Sequence, residues 1–315
     1  MLFRSGAGTL TIGNAFDLTC GTFTAPSGNM NVAGNFINSG TFSHNNGTVT
    51  FNGATAISGS STHSFNNVTI SGNLTAPGGN MNVAGNFTSN GGAFSHNSGT
   101  VTFNGSGTQN LALDAATTFY NLTVNSGVTL VETVAADNAT VSGTLINSGV
   151  IRKTQAISGT GSQTFGLTGV QMNVTAQGTL ISVQVDRRDS HHPNATTWLQ
   201  TGRYWTLTPT GSDYTVNLTL PTAFTPDDQD KVCRYTGSGQ VWDCAMSAYT
   251  GSSITRDGVT AFSDWAAGND VGPTAITLRG LTARSGRLVG GWLLLVGSAA
   301  AAVWLGRRRI LLRRM

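Results

Sequence analysis

Thr24–Gly53 reads TAPSGNMNVAGNFINSGTFSHNNGTVTFNG, and Thr75–Gly105 reads TAPGGNMNVAGNFTSNGGAFSHNSGTVTFNG. Nine of these residues, GNMNVAGNF, are identical at Gly28–Phe36 and Gly79–Phe87 and include no acid, base or cysteine. The copies differ by one inserted residue near Gly91 and a few polar exchanges. The rhythm continues between them, because FNNVTISG at Phe65–Gly72 returns as FYNLTVNSG at Phe119–Gly127. FDLTCG at Phe16–Gly21 is a weaker upstream echo. The unit is about 51 residues, a period that marks solenoids, propellers or tandem arrays.

Within a unit the apolar residues alternate in short runs: Met30 and Val32, Val49 and Phe51, Val68 and Ile70. Alternation is the strand period, since successive side chains point to opposite faces. Each run stops after about three to five residues at Asn, Gly or Ser, short for a long antiparallel meander. Asn-Gly pairs (Asn46–Gly47, Asn52–Gly53, Asn104–Gly105) signal two-residue hairpins and leave an antiparallel sandwich open. Short, nearly uncharged, repeated runs favour a parallel β-solenoid (β-helix) with tight Gly/Asn corners. A unit would then hold two or three coils. On this reading the two copies stack on one another, Met, Val and Phe inside, and His44 and His96 occupy stacked FSHN positions. More degenerate coils, NLTVNSGVTLVE, NATVSGTLINSGVI and TQAISGTGSQTF, extend the expected solenoid over residues 1–165.

Composition agrees with an all-β chain. Only 10% of residues are charged against a usual ~25%, with 41 glycines, yet 39% are hydrophobic and patterned for folding. The formal charge of +3 comes from the terminus, where Arg307, Arg308, Arg309, Arg313 and Arg314 supply five of the 17 bases. Residues 1–306 hold 12 bases against 14 acids, so no basic face for nucleic acid is expected.

From about residue 166 the character changes. Runs such as LISVQV, YWTLTP and DYTVNLTLP, separated by Pro, Gly and Asp turns, predict an antiparallel β-sandwich over residues 166–268. Trp198, Trp205, Trp242 and Trp265 all lie there. Cys233 and Cys244 flank RYTGSGQVWD, and a hairpin turning through Gly237–Gln240 sets them opposite one another with Tyr235 opposite Trp242. The pair reads as a disulfide, with two reduced, buried thiols as the alternative. Cys20 reads as a small apolar filler within a coil.

Metal and catalytic chemistry find little support. His191 and His192 are adjacent in RRDSHHPN, near Asp186 and Asp189, and a polar loop accounts for that stretch better than ligand spacing. Asp227, Asp228 and Asp230 resemble a solvated turn rather than a calcium loop. Residues 1–150 hold Arg4, Asp17, Asp114, Glu132 and Asp137 scattered, without the paired carboxylates of polysaccharide-cleaving solenoids. No nucleophile-elbow, zinc-protease or phosphate-loop motif occurs, so no enzyme activity and no cofactor are expected.

Residues 269–287 read as a linker, followed by LVGGWLLLVGSAAAAVWLG at Leu288–Gly306, uncharged throughout. That length suits one transmembrane helix, Trp292 and Trp304 near its ends, Arg307, Arg308 and Arg309 beginning a cytoplasmic tail over 307–315. The remainder is then extracellular. MLFRSG at the start shows no export signal, so the chain reads as truncated or mis-started.

The repeat resembles the coils of bacterial secreted adhesin-like β-helix proteins, including the autotransporter-passenger and filamentous-haemagglutinin classes. The C-terminus resembles bacterial surface-protein sorting tails, and PTAITLRGLTARSG resembles a motif found before such helices, although neither LPXTG nor PEP is present. These resemblances imply a membrane-anchored cell-surface stalk or adhesin. Its partners would be the bilayer, surface glycans or neighbouring cells, and a C-terminal sorting protease. The alternative is a carbohydrate-binding or remnant polysaccharide-processing protein using the Trp-bearing domain.

Overall fold

Three parallel sheets, set as the faces of a prism, wind through the N-terminal half of the chain. The computed structural model describes residues 2–4, 6–114, 116–133, 139–195, 199, 202–239 and 241–269. The linker, the expected transmembrane helix and the Arg-rich tail lie outside these residues, apart from Asn269.

The first face runs through Leu10–Ile12, Asn29–Val32, Thr48–Phe51, Asn67–Ile70, Phe87–Ser89, Gly107–Leu113, Val128–Glu132 and Val150–Ala156. The second holds Phe16–Leu18, Phe36–Asn38, Ala54–Ser58, Asn73–Thr75 and Ala93–Ser95, then Thr117–Phe119 paired with Ala139–Val141. The third holds Leu2–Arg4, Thr22–Thr24 and Thr41–Ser43, then His63–Phe65, Asn80–Val83, Thr100–Phe103, Asn121–Val124 and Leu145–Asn147. The chain visits the faces in strict rotation and completes about seven turns. The β-solenoid is thus established, and Met30 and Val32, Val49 and Phe51, and Val68 and Ile70 all face inward.

The two sequence copies do not stack. Asn29–Val32 lies on the first face, where Met30 is flanked by Leu10 and Val49. Its counterpart Asn80–Val83 lies on the third, where Met81 is flanked by His63 and Val101. Corresponding strands are eight apart while a turn takes three, so the second copy is rotated by two-thirds of a turn. What repeats is a local package. Phe36 meets Phe42, Phe51 and Phe65 at ring separations of 5.1, 6.1 and 5.4 Å. Phe87 meets Phe94, Phe103 and Phe119 at 5.6, 6.5 and 5.7 Å. Edge-on aromatic pairs at these distances add stabilisation beyond buried area.

The corners repeat as faithfully as the core. Asn45 and Asn46 have φ of +48° and +58°, and Asn97 and Ser98 have +45° and +57°. Gly47 N–H donates to His44 O and Gly99 N–H to His96 O, each at 2.9 Å. His44 Nδ1 accepts from Asn46 N–H at 3.1 Å, and His96 Nδ1 from Ser98 N–H at 3.0 Å. Two consecutive left-handed residues closed by an i to i+3 bond normally join a hairpin. Here that turn joins strands of two different faces, so Asn46–Gly47 marks a coil corner rather than a hairpin, while Asn52–Gly53 and Asn104–Gly105 hold no left-handed residue. The two histidines are corner residues on different edges, not a stack. Cys20 also sits on a corner, just beyond Phe16–Leu18, and is exposed rather than filling a coil.

The first face continues past the last parallel strand. Val150–Ala156 pairs antiparallel with Ser182–Arg188, and the sheet runs on through Tyr204–Thr210, Asp264–Asn269, Asp230–Tyr235 and Trp242–Ala245. A second antiparallel sheet contains Gly161–Thr164, Gln171–Ala176, Thr215–Pro221, Ser253–Val259 and Ala248–Tyr249. One buried cluster joins these sheets, including Trp205, Trp265, Val185, Leu207, Val216 and Leu218.

A solenoid end exposes its core unless something covers it. Here a 3-10 turn, Gly166–Thr168, provides the cover, and Leu167 joins the solenoid core. Leu167 N–H donates to Glu132 Oε2 at 2.8 Å, and Arg187 Nη1 donates to Leu167 O at 3.0 Å. Trp205 Nε1 donates to Thr168 O at 2.9 Å. Glu132 and Lys153 are register partners on neighbouring strands, only 5% and 0% exposed.

Candidate functional site

Cys233 and Cys244 are paired across the hairpin and form a disulfide, with Cα atoms 4.0 Å apart and Tyr235 opposite Trp242. Thr236 N–H donates to Val241 O at 3.2 Å. The narrow and wide pairs alternate from there, placing the cysteines at a wide, non-hydrogen-bonded pair where side chains approach most closely. Closing a loop of this length stabilises by about 2–3 kcal/mol in the chain-entropy account. The double variant Cys233→Ser, Cys244→Ser is therefore expected to lose that much in chemical denaturation, with reductant giving the same shift to the wild type.

Beside the disulfide, the RRDSHHPN stretch is more ordered than a polar loop. Arg187 and Arg188 belong to the strand Ser182–Arg188. Asp186 takes a bidentate pair from Arg152, both bonds 2.6 Å, and Asp189 one from Arg187, both 2.7 Å. His191 is exposed, whereas His192 is buried within 5.0 Å of the rings of Tyr204, Tyr235 and Trp242. His192 Nδ1 accepts from Asn194 N–H at 3.0 Å, leaving Nε2–H to donate to Asp264 Oδ2, also at 3.0 Å. Asp264 also accepts from Thr206 Oγ1 at 2.6 Å. Both imidazole nitrogens are occupied, so the ring braces the loop against the hairpin and has no lone pair left for a substrate. Asp264 lies 72 residues from His192, and nothing in the local sequence announces the pair.

Trp205 and Trp265 are fully buried in the core, and Trp242 turns its indole N–H onto Asn194 O at 2.8 Å. Trp198 lies outside the described residues. Asp227, Asp228 and Asp230 form a self-bonded turn, with Asp227 N–H on Asp230 Oδ2 at 2.9 Å and Gln229 N–H on Asp227 Oδ1 at 2.8 Å.

A different feature stands out on the solenoid. At the edge between the second and third faces, the corner Ser58–Thr62 and the next corner around Pro77–Gly79 part to leave a groove of about 540 Å³. It is lined by Ser58, Ser60, Ser61, Thr62, Asn80 and Asn97 together with Ile57, Pro77 and His63. No charged side chain lines it. His63 points inward from its strand, is 5% exposed, and its Nδ1 has no hydrogen-bond partner. Burial lowers the His63 pKa below its ordinary 6.5, and burial does the same at the corner residue His44. An imidazole that resists protonation when folded binds fewer protons than its unfolded counterpart once pH drops below about 6.5. Stability is therefore expected to be level above that pH and to decline below it. Melting temperatures between pH 8 and pH 5 check this, and His63→Thr should flatten the decline.

No protein-family model matches the chain, and neither characterised proteins nor solved structures give a match. Leu288, Trp292, Trp304, Arg307, Arg308 and Arg309, the expected membrane anchor, lie outside the described residues. Among the described residues no helix is long and apolar enough to cross a membrane.

Proposed function

We propose that the chain is a non-catalytic cell-surface protein of bacterial type, a stiff β-solenoid stalk or adhesin displayed outside the membrane. The two antiparallel sheets act as a β-sandwich spacer between stalk and anchor. Leu288–Gly306 spans the bilayer, with Arg307–Arg309 holding the tail on the cytoplasmic side. The observation supporting display over catalysis is what the repeat preserves: a phenylalanine package and its Asn/Gly corners, residues that build a rod. The disulfide suits an oxidising exterior. Protease treatment of intact cells tests the reading. Release of solenoid fragments without lysis is expected, and a chain protected until lysis sinks it. Mass spectrometry of the mature C-terminus then separates a permanent anchor from a tail cut by a sorting protease.

Carbohydrate binding is the second reading. With Trp205 and Trp265 in the core, the feature favouring it is the uncharged, hydroxyl- and amide-lined groove on the solenoid edge.

A further inference from the structure

The two copies of the repeat supply an internal comparison. Three inward positions are polar in both: Asn38 and Ser89, Thr55 and Gln109, His63 and Thr117. In the second copy Ser89 Oγ lies 2.9 Å from Gly92 O and 3.0 Å from Asp114 Oδ1, its one hydroxyl proton shared between the two acceptors. Gln109 Nε2 donates to Val83 O at 3.0 Å, and its Oε1 accepts from Gly105 N–H at 3.1 Å. In the first copy Asn38 Oδ1, Thr55 Oγ1 and His63 Nδ1 are all buried without a partner. Ser60 stands where the second copy has Asp114, and the groove opens beside it. The first copy thus departs from its own duplicate: Asn38 Nδ2 still donates to Thr62 O at 3.3 Å, but three inward polar atoms lack partners, and a recess lined in part by His63 opens at that corner. Buried polar atoms cost about 1–3 kcal/mol when left unpaired, so such an atom favours any partner that reaches it.

We propose that this groove is a binding site for a neutral, hydroxyl-rich ligand of one or two sugar units, with His63, which lines it, as the innermost contact. A hydroxyl both donates and accepts, so it suits an imidazole in either neutral tautomer. Ser58, Ser60, Ser61, Thr62, Asn80 and Asn97 supply further donors and acceptors around the rim, while Ile57 and Pro77 offer apolar surface for the C–H side of a ring. A charged ligand would meet no counter-charge there, and the recess falls within the usual size of small-ligand sites. The proposal deepens the adhesive reading, on which its biological use rests, by naming what the rod would hold.

The test uses purified full-length chain in detergent solution, with methyl β-D-glucopyranoside, methyl β-D-galactopyranoside, N-acetyl-D-glucosamine and cellobiose as probes. Saturation-transfer NMR is expected to detect at least one probe, with matching shifts of the His63 imidazole resonances. His63→Thr, which installs the second copy's residue, should weaken binding at least tenfold. Gly79→Trp tests the same site from its rim, because Gly79 lines the groove and a Cβ there meets no atom within 4 Å. It should abolish the signal while leaving the melting temperature unchanged. Absence of a His63 response to every probe, or wild-type binding by Gly79→Trp, overturns the proposal. Binding by purified chain that stays protease-protected on cells would overturn surface display alone.

Discussion

Phe36→Ala is expected to destabilise the solenoid by about 3–5 kcal/mol, enough to abolish most of the stability of a typical domain. Phe36 is fully buried and lies 4.9–6.1 Å from the rings of Phe16, Phe42, Phe51 and Phe65. Truncation removes edge-on contacts on several sides and leaves a cavity that strands locked in register on both neighbours cannot collapse to fill. Phe87→Ala should cost a similar amount, because it sits at the centre of the matching package one copy on. Phe23→Ala serves as the contrast, since Phe23 is only partly buried near the N-terminal end and should lose clearly less. Urea midpoints for the three variants check the ranking. A loss below 1 kcal/mol at Phe36 would mean that the packages are not what holds adjacent turns together.

The corner glycines yield a second large effect. A Cβ on Gly47 would run into the carbonyl oxygens of Pro26 and Gly28, and one on Gly99 into those of Pro77 and Gly79. These are backbone atoms of the preceding turn and cannot swing aside as a side chain tip can. Gly47→Ala and Gly99→Ala are each expected to cost about 3 kcal/mol or more, the upper end for overpacking. Gly79→Ala, with open space around it, should change stability little. The informative result is agreement between Gly47 and Gly99, which sit on different edges of the rod in the same atomic setting. A large disparity would show that the corners depend on their face rather than on local sequence.

That agreement bears on what the sequence could reveal. Strand content, inward residues and tight corners were legible because they depend on neighbours two to six residues away. The disulfide was legible for the same reason, since the short turn beyond Tyr235 sets its register. Turn closure is different. Whether Met30 lies beneath Val49 or Met81 depends on how many strands complete a circuit, and a 51-residue repeat records duplication, not circumference. The His192–Asp264 brace was hidden because its partners come from segments far apart in the chain. The groove was not legible because its signature is a difference between copies: His63 for Thr117, and Ser60 for Asp114.

The mismatch between an eight-strand duplication and a three-strand circuit has a consequence for how such a rod can vary. Loss or gain of one copy by recombination between near-identical segments would change its length by about 13 Å, at the usual strand spacing. It would also screw everything beyond the splice round by two-thirds of a turn. The splice would remain seamless, since Phe packages and Asn/Gly corners are indifferent to the face that receives them. Three copies, twenty-four strands, would return to the starting azimuth after eight circuits. A recess written once into the duplicated unit would then point in three directions around the shaft, so a lengthened descendant could meet a surface from any side.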